Sequence, residues 1–176
     1  MLSLSGLEEA VPGILAIRSE EPREIDWEFI GEEFGVSLPA DFVALSEAYP
    51  RFSVDDFLGL NIPSPGEEKY FVAGLRDLLD NLADLAGSQM SHGYAPFPAP
   101  GGLLPWGSSC EGDVLYWRTT DGDPDSWTVV VSSHNDDWFH FQGNLTTYLT
   151  AKMRRFPLPD GLPPDFPGAT PVIEAD

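Results

Sequence analysis

The chain has 176 residues and carries 29 Asp and Glu against 9 Lys and Arg, a formal net charge of -20. That field repels nucleic acid and anionic membranes, and it draws basic proteins into encounter. A hydrophobic fraction of 42% excludes wholesale disorder, while the single cysteine, Cys110, excludes an intrachain disulfide and a four-thiolate zinc site.

No stretch approaches the roughly 20 apolar residues of a membrane helix. The segment from Met1 to Glu9 shows no basic leader before its first acids. A cytoplasmic protein without a signal peptide is therefore expected. Trp27, Ile30 and Phe34 fall three and four apart with Glu28, Glu32 and Glu33 between them, which predicts an amphipathic helix capped by Asp26 and closed at Gly35. Ser37 to Asp41 opens a second helix with Pro39 in its first turn, and Phe42, Leu45 and Tyr49 carry its apolar face to Pro50. Phe52 to Ile62 reads as one short strand interrupted by Asp55 and Asp56. After Pro63-Ser64-Pro65-Gly66, the leucines of Glu67 to Gln89 recur at helical spacing and predict the longest helix, laid over one face of a sheet.

Leu103 to Trp106, Asp113 to Arg118 and Trp127 to Val131 have strand character, with Asp121-Gly122-Asp123-Pro124-Asp125 as the hairpin loop between the last two. Val114 and Tyr116 should face one side of the sheet, Leu115 and Trp117 the other. Trp138 to Phe141 predicts a fourth strand, and Leu145, Tyr148, Leu149 and Met153 a closing helix. The six prolines between Pro157 and Pro171 predict no regular structure beyond Arg155 and a tail that is mobile or packed on the domain. The expected architecture is a single α+β domain over residues 1–155, a central and mostly antiparallel β-sheet with helices packed on it, followed by a Pro-rich tail over 156–176.

Three stretches, taken in order, resemble the SUKH superfamily. They are Trp27 running into Gly35-Val36-Ser37-Leu38-Pro39-Ala40-Asp41-Phe42 and Tyr49; Leu104-Pro105-Trp106-Gly107 followed by Gly112-Asp113-Val114-Leu115-Tyr116-Trp117; and Trp127 to Val131 with Trp138 and Leu145 to Leu149. Trp106 stands where the superfamily usually has Phe, and Asn144-Leu145 where it has Ser-Phe. The superfamily includes a fungal cell-wall regulator and bacterial immunity proteins that neutralise secreted toxins. The resemblance implies an immunity-type inhibitor that binds a cognate toxin domain, or alternatively a regulatory or scaffolding module without a toxin, and in neither case an enzyme.

Catalytic and metal chemistry find little support in the spacing. Asp121, Asp123 and Asp125 begin like a calcium loop, but Ser126 and Ser132 occupy the Gly and Glu positions that such a loop requires. Ser109 or Cys110 with His134 is not spaced as a nucleophile and base, and Cys110 is expected to be a half-buried loop residue. His92, His134 and His140 form no zinc-ligand pair, and the only lysines, Lys69 and Lys152, sit in no phosphate loop. No catalytic residue, cofactor or metal is expected. The residues expected to meet a basic toxin domain, or another basic protein, are the acids at the sheet connections: Asp55, Asp56, Asp121, Asp123, Asp125, Asp136 and Asp137. Trp138, Tyr94 and Phe52 are the candidate aromatic anchors, each also suited to the core.

Overall fold

Asp26 starts the first of the predicted helices. Its side chain accepts a hydrogen bond from the Phe29 N–H at 2.9 Å, and the helix α2, Trp27–Phe34, ends where Gly35 turns left-handed at φ 69°. The structure, a computed structural model, describes residues 4–176; Met1, Leu2 and Ser3, part of the segment read for a leader, lie outside the described residues. Before α2 come helix α1, Ser5–Ala10, and a 3-10 helix over Pro12–Ile17, neither expected from the sequence. Helix α3, Ala40–Ala48, differs from expectation at its start: Pro39 is the cap at φ -56°, ψ 139°, not a first-turn residue. Its extended ψ places it outside the helix. Helix α4 spans Glu68–Gly87 and α5 spans Leu145–Met153. The buried Asp41 joins α3 to α5, accepting from the Thr146 N–H at 3.0 Å and the Thr146 hydroxyl at 3.1 Å.

The sheet has seven strands, β1 (Phe52–Val54), β2 (Leu58–Leu60), β3 (Leu103–Ser109), β4 (Val114–Arg118), β5 (Thr128–Ser132), β6 (Trp138–Phe141) and β7 (Ile173–Ala175), in the order β6-β5-β4-β3-β2-β1-β7. Every neighbouring pair is antiparallel. The single strand expected over Phe52 to Ile62 is a hairpin instead, because Asp55 and Asp56 turn the chain at φ 53° and 51°. Aspartate tolerates that left-handed backbone better than most residues, since its short side chain hydrogen-bonds locally.

Alternation along β4 divides the core as the sequence predicts. Leu115 and Trp117 join the main cluster with Phe42, Leu104, Trp106, Val129, Val131 and Tyr148, whereas Tyr116 meets Leu82, Leu103 and Val130 on the opposite face. Phe42 stands edge-on to Trp117 with centroids 4.9 Å apart, which locks α3 to the sheet. Each such fully buried ring contributes about 1.5–3 kcal/mol by leaving water.

The proline-rich tail is ordered differently from expectation, because its last stretch forms β7 on the edge of β1. Along the way Leu162 and Phe166 enter the core, and Phe166 packs on Phe57 at 4.7 Å. Asp160, itself buried, holds the buried Lys152 at 2.9 Å, accepts from the Tyr148 hydroxyl at 2.8 Å and accepts from the Leu162 N–H at 3.1 Å. Asp55 fixes the far part, accepting from the Gly168 N–H at 2.9 Å and the Val172 N–H at 2.7 Å.

Candidate functional site

The meander sorts the acidic connections between the two ends of the sheet. Leu58 pairs with Ser109 and Val114 with Ser132, so the β1–β2, β3–β4 and β5–β6 turns all lie at one end. The Cys110 N–H donates to the Phe57 carbonyl at 2.9 Å and ties the first two turns together. Asp56, Glu111, Asp136 and Asp137 are exposed there, and none of the three turns, residues 55–57, 110–113 and 133–137, contains Lys or Arg. Asp55 shares this end but is spent on the tail.

Asp121, Asp123 and Asp125 lie at the opposite end, between β4 and β5, so the seven acids expected to meet the partner fall into two groups. Two members of the second group are occupied within the chain. Asp123 caps a 3-10 turn over Pro124–Ser126, and Asp125 accepts from the Ala40 N–H at 2.6 Å, satisfying an amide at the start of α3. Asp125 therefore acts as a helix cap from a distant loop.

One residue organises the first group, and sequence reasoning read it only as a turn former. Asp113 is completely buried, and its carboxylate accepts from the Ser109 hydroxyl, from the His134 N–H at 2.8 Å and from His134 Nδ1 at 2.8 Å. Burial pushes the Asp113 carboxyl up, but the Ser109 hydroxyl and the His134 amide and ring outweigh it and hold the group below its ordinary value. The hydrogen bond that the His134 ring donates to Asp113 is the main cause raising His134 above 6.5, with the charges of Asp113 and Glu111 adding to it against a desolvation cost. The β3–β4 and β5–β6 turns are thereby joined through one carboxylate.

That order of contacts decides what Ser109 can do. Asp113 stands between the hydroxyl and the imidazole, so His134 is not placed to take the Ser109 proton. Ser109 Oγ instead accepts from the Glu111 and Asp113 N–H groups at 3.2 and 3.1 Å, closing its own turn. Cys110 is exposed, not half-buried as expected, because it sits at the tip of that turn. A carboxylate only accepts, so His134 Nδ1 carries the shared proton. Nε2 is left facing the Glu111 carboxylate at 3.9 Å.

Of the three candidate anchors, Phe52 is a core residue, 2% exposed. Trp138 and Tyr94 are half-buried beside the acidic turns, stacked with centroids 5.3 Å apart, and Tyr116 continues the stack at 6.2 Å from Trp138. His92 closes the ledge, reaching Asp136 at 3.5 Å. Both His92 and Asp136 hold left-handed backbone, at φ 51° and 63°. The grouping of Glu111, Asp113 and His134 had no signal in the sequence, since its members come from two turns 21 residues apart and only strand order unites them.

No helix among the described residues is long and apolar enough to cross a membrane. Comparison of the chain with protein-family models, with curated proteins and with solved structures found no match.

Proposed function

We propose that this α+β chain is a protein-binding module whose turn end receives a basic partner, and that it serves as an immunity-type inhibitor of a toxin domain, as its resemblance to the SUKH superfamily implies. The observation that carries the reading is the set of four exposed carboxylates, Asp56, Glu111, Asp136 and Asp137, on three turns without Lys or Arg in a chain of net charge -20. Such a concentration steers a cationic surface and accelerates association at low ionic strength. The turns also need little ordering on binding, because Asp113 fixes two of them and the Cys110 amide fixes the third. Trp138 and Tyr94 supply an adjoining aromatic ledge on which an arginine or lysine stem can rest.

The test is capture from the source cell at low and high salt with wild type, with the triple variant D56N/D136N/D137N and with the far-end variant D121N/D123N. One basic toxin domain should be retained by wild type and the far-end variant and lost from the triple variant. Equal capture by all three removes the turn end as the docking surface. A regulatory protein captured in the toxin's place, with the same dependence on the three acids, keeps the surface and makes the module regulatory.

A further inference from the structure

We propose that His134 and Glu111, with Asp113 behind them, form a site for a divalent transition-metal ion, which shares Glu111 with the turn end proposed above for the partner but rests on geometry of its own. Ligand atoms of Glu111, Asp113 and His134 lie within 4.8 Å of one another, the one such group of His, Cys, Asp and Glu among the described residues. The individual roles follow from their contacts. His134 uses Nδ1 on a fully buried carboxylate, and its own backbone amide binds the same Asp113 Oδ1 at 2.8 Å, so ring position and tautomer are both set. This is the carboxylate–histidine arrangement that aims the second ring nitrogen at a metal and raises its basicity. Asp113 is accordingly a positioning residue, since one oxygen serves the ring and the other the Ser109 hydroxyl.

Nε2 faces the Glu111 carboxylate at 3.9 Å. Two ligands on one tetrahedral zinc, with metal distances of about 2.0–2.2 Å, stand roughly 3.4 Å apart. Closing the difference of about half an ångström requires only a small rotation of Glu111, an exposed side chain with no nearer partner to give up among the described residues. Water or an incoming group completes the coordination. A mixed imidazole and carboxylate pair selects zinc-like ions over calcium and magnesium, which take oxygen ligands. In this it differs from the Asp121 to Asp125 loop, where the Asp125 carboxylate serves Ala40 and that of Asp123 its own turn.

The experiment is calorimetric titration of the folded full chain with zinc chloride, with circular dichroism of every variant as a check on folding. Wild type should take up one saturable equivalent, undiminished by an equal concentration of calcium and retained in D121N/D123N. The variants E111Q and H134Q should each weaken it at least tenfold, and D113N about 10–100-fold as an orienting partner. Glu111 is exposed and plays no part in the core, so E111Q tests the idea even if D113N fails to fold. Absence of a saturable equivalent in wild type, displacement of zinc by equimolar calcium, or wild-type affinity in E111Q each overturns the proposal.

Discussion

Replacing Asp160 by alanine leaves a buried ammonium without its counter-charge. Lys152 and Asp160 are 5% and 4% exposed, and the Asp160 carboxylate also accepts from the Tyr148 hydroxyl and the Leu162 N–H at 2.8 and 3.1 Å. Three donors lose their acceptor at once, and breaking a buried pair in this way costs about 3–5 kcal/mol. Removing both charges is a different perturbation. K152M/D160A eliminates the stranded ammonium, and Met keeps the volume of the lysine stem, so the double variant should recover most of the loss in spite of the unpaired Tyr148 hydroxyl and Leu162 N–H. Urea denaturation followed by tryptophan fluorescence measures both values, and the double-mutant cycle isolates their coupling. A D160A cost below about 1 kcal/mol, or a double variant no more stable than D160A, would falsify the view that the charge of Lys152 sets the penalty.

The Asp113–His134 pair makes stability depend on pH in two opposed ways. His134 is raised in the folded chain, so its contribution is full below its unfolded value near 6.5 and is lost as pH rises through the folded value; H134A should therefore narrow its stability gap from wild type between pH 5.5 and pH 8.5, as read by thermal melts. Asp113 is lowered, so its contribution is present above its unfolded value near 3.8 and is lost as pH falls through the folded value, and D113N should flatten the acid limb of the same curve. D55A removes the acceptor of the Gly168 and Val172 amides and should cost about 1–3 kcal/mol, with limited proteolysis cutting first between residues 168 and 172. Cys110 should react fully with a thiol reagent under native conditions, and C110S should change stability by less than about 0.5 kcal/mol because the side chain is exposed.

What the sequence made legible was whatever is encoded within one turn or one strand. Trp27, Ile30 and Phe34 with the Asp26 cap specify α2 through contacts three and four residues apart, and the alternation of Val114, Leu115, Tyr116 and Trp117 assigns β4 two buried faces. What depended on distant pairing was hidden. The β1–β2 turn rests on two aspartates adopting a backbone that most residues avoid, and β7 exists because β1 offers it hydrogen bonds. The site suffered most from this. Asp113 reads as a hydrophilic turn residue until strand order brings His134 beside it, and the acids divide into two groups only once the direction of each strand is known.

The course of the tail has a consequence for association between copies of the chain. Near its start, a Cβ on Gly161 would lie 2.6 Å from the Phe139 ring of β6, the strand at one border of the sheet. Near its end it hydrogen-bonds to β1, which without β7 would form the other border, with Phe52 and Val54 alternating on a bare row of amides and carbonyls. Bare strands of that kind recruit a strand from another molecule, and proteins guard them with cover and charge. Here one proline-rich segment reaches both borders, and on the outer one it places Glu174, with Asp176 paired to Arg51 at 2.9 Å. A segment whose composition argues against strand formation thus takes up the hydrogen-bonding edge of β1 and leaves the short, acidic β7 as the border in its place.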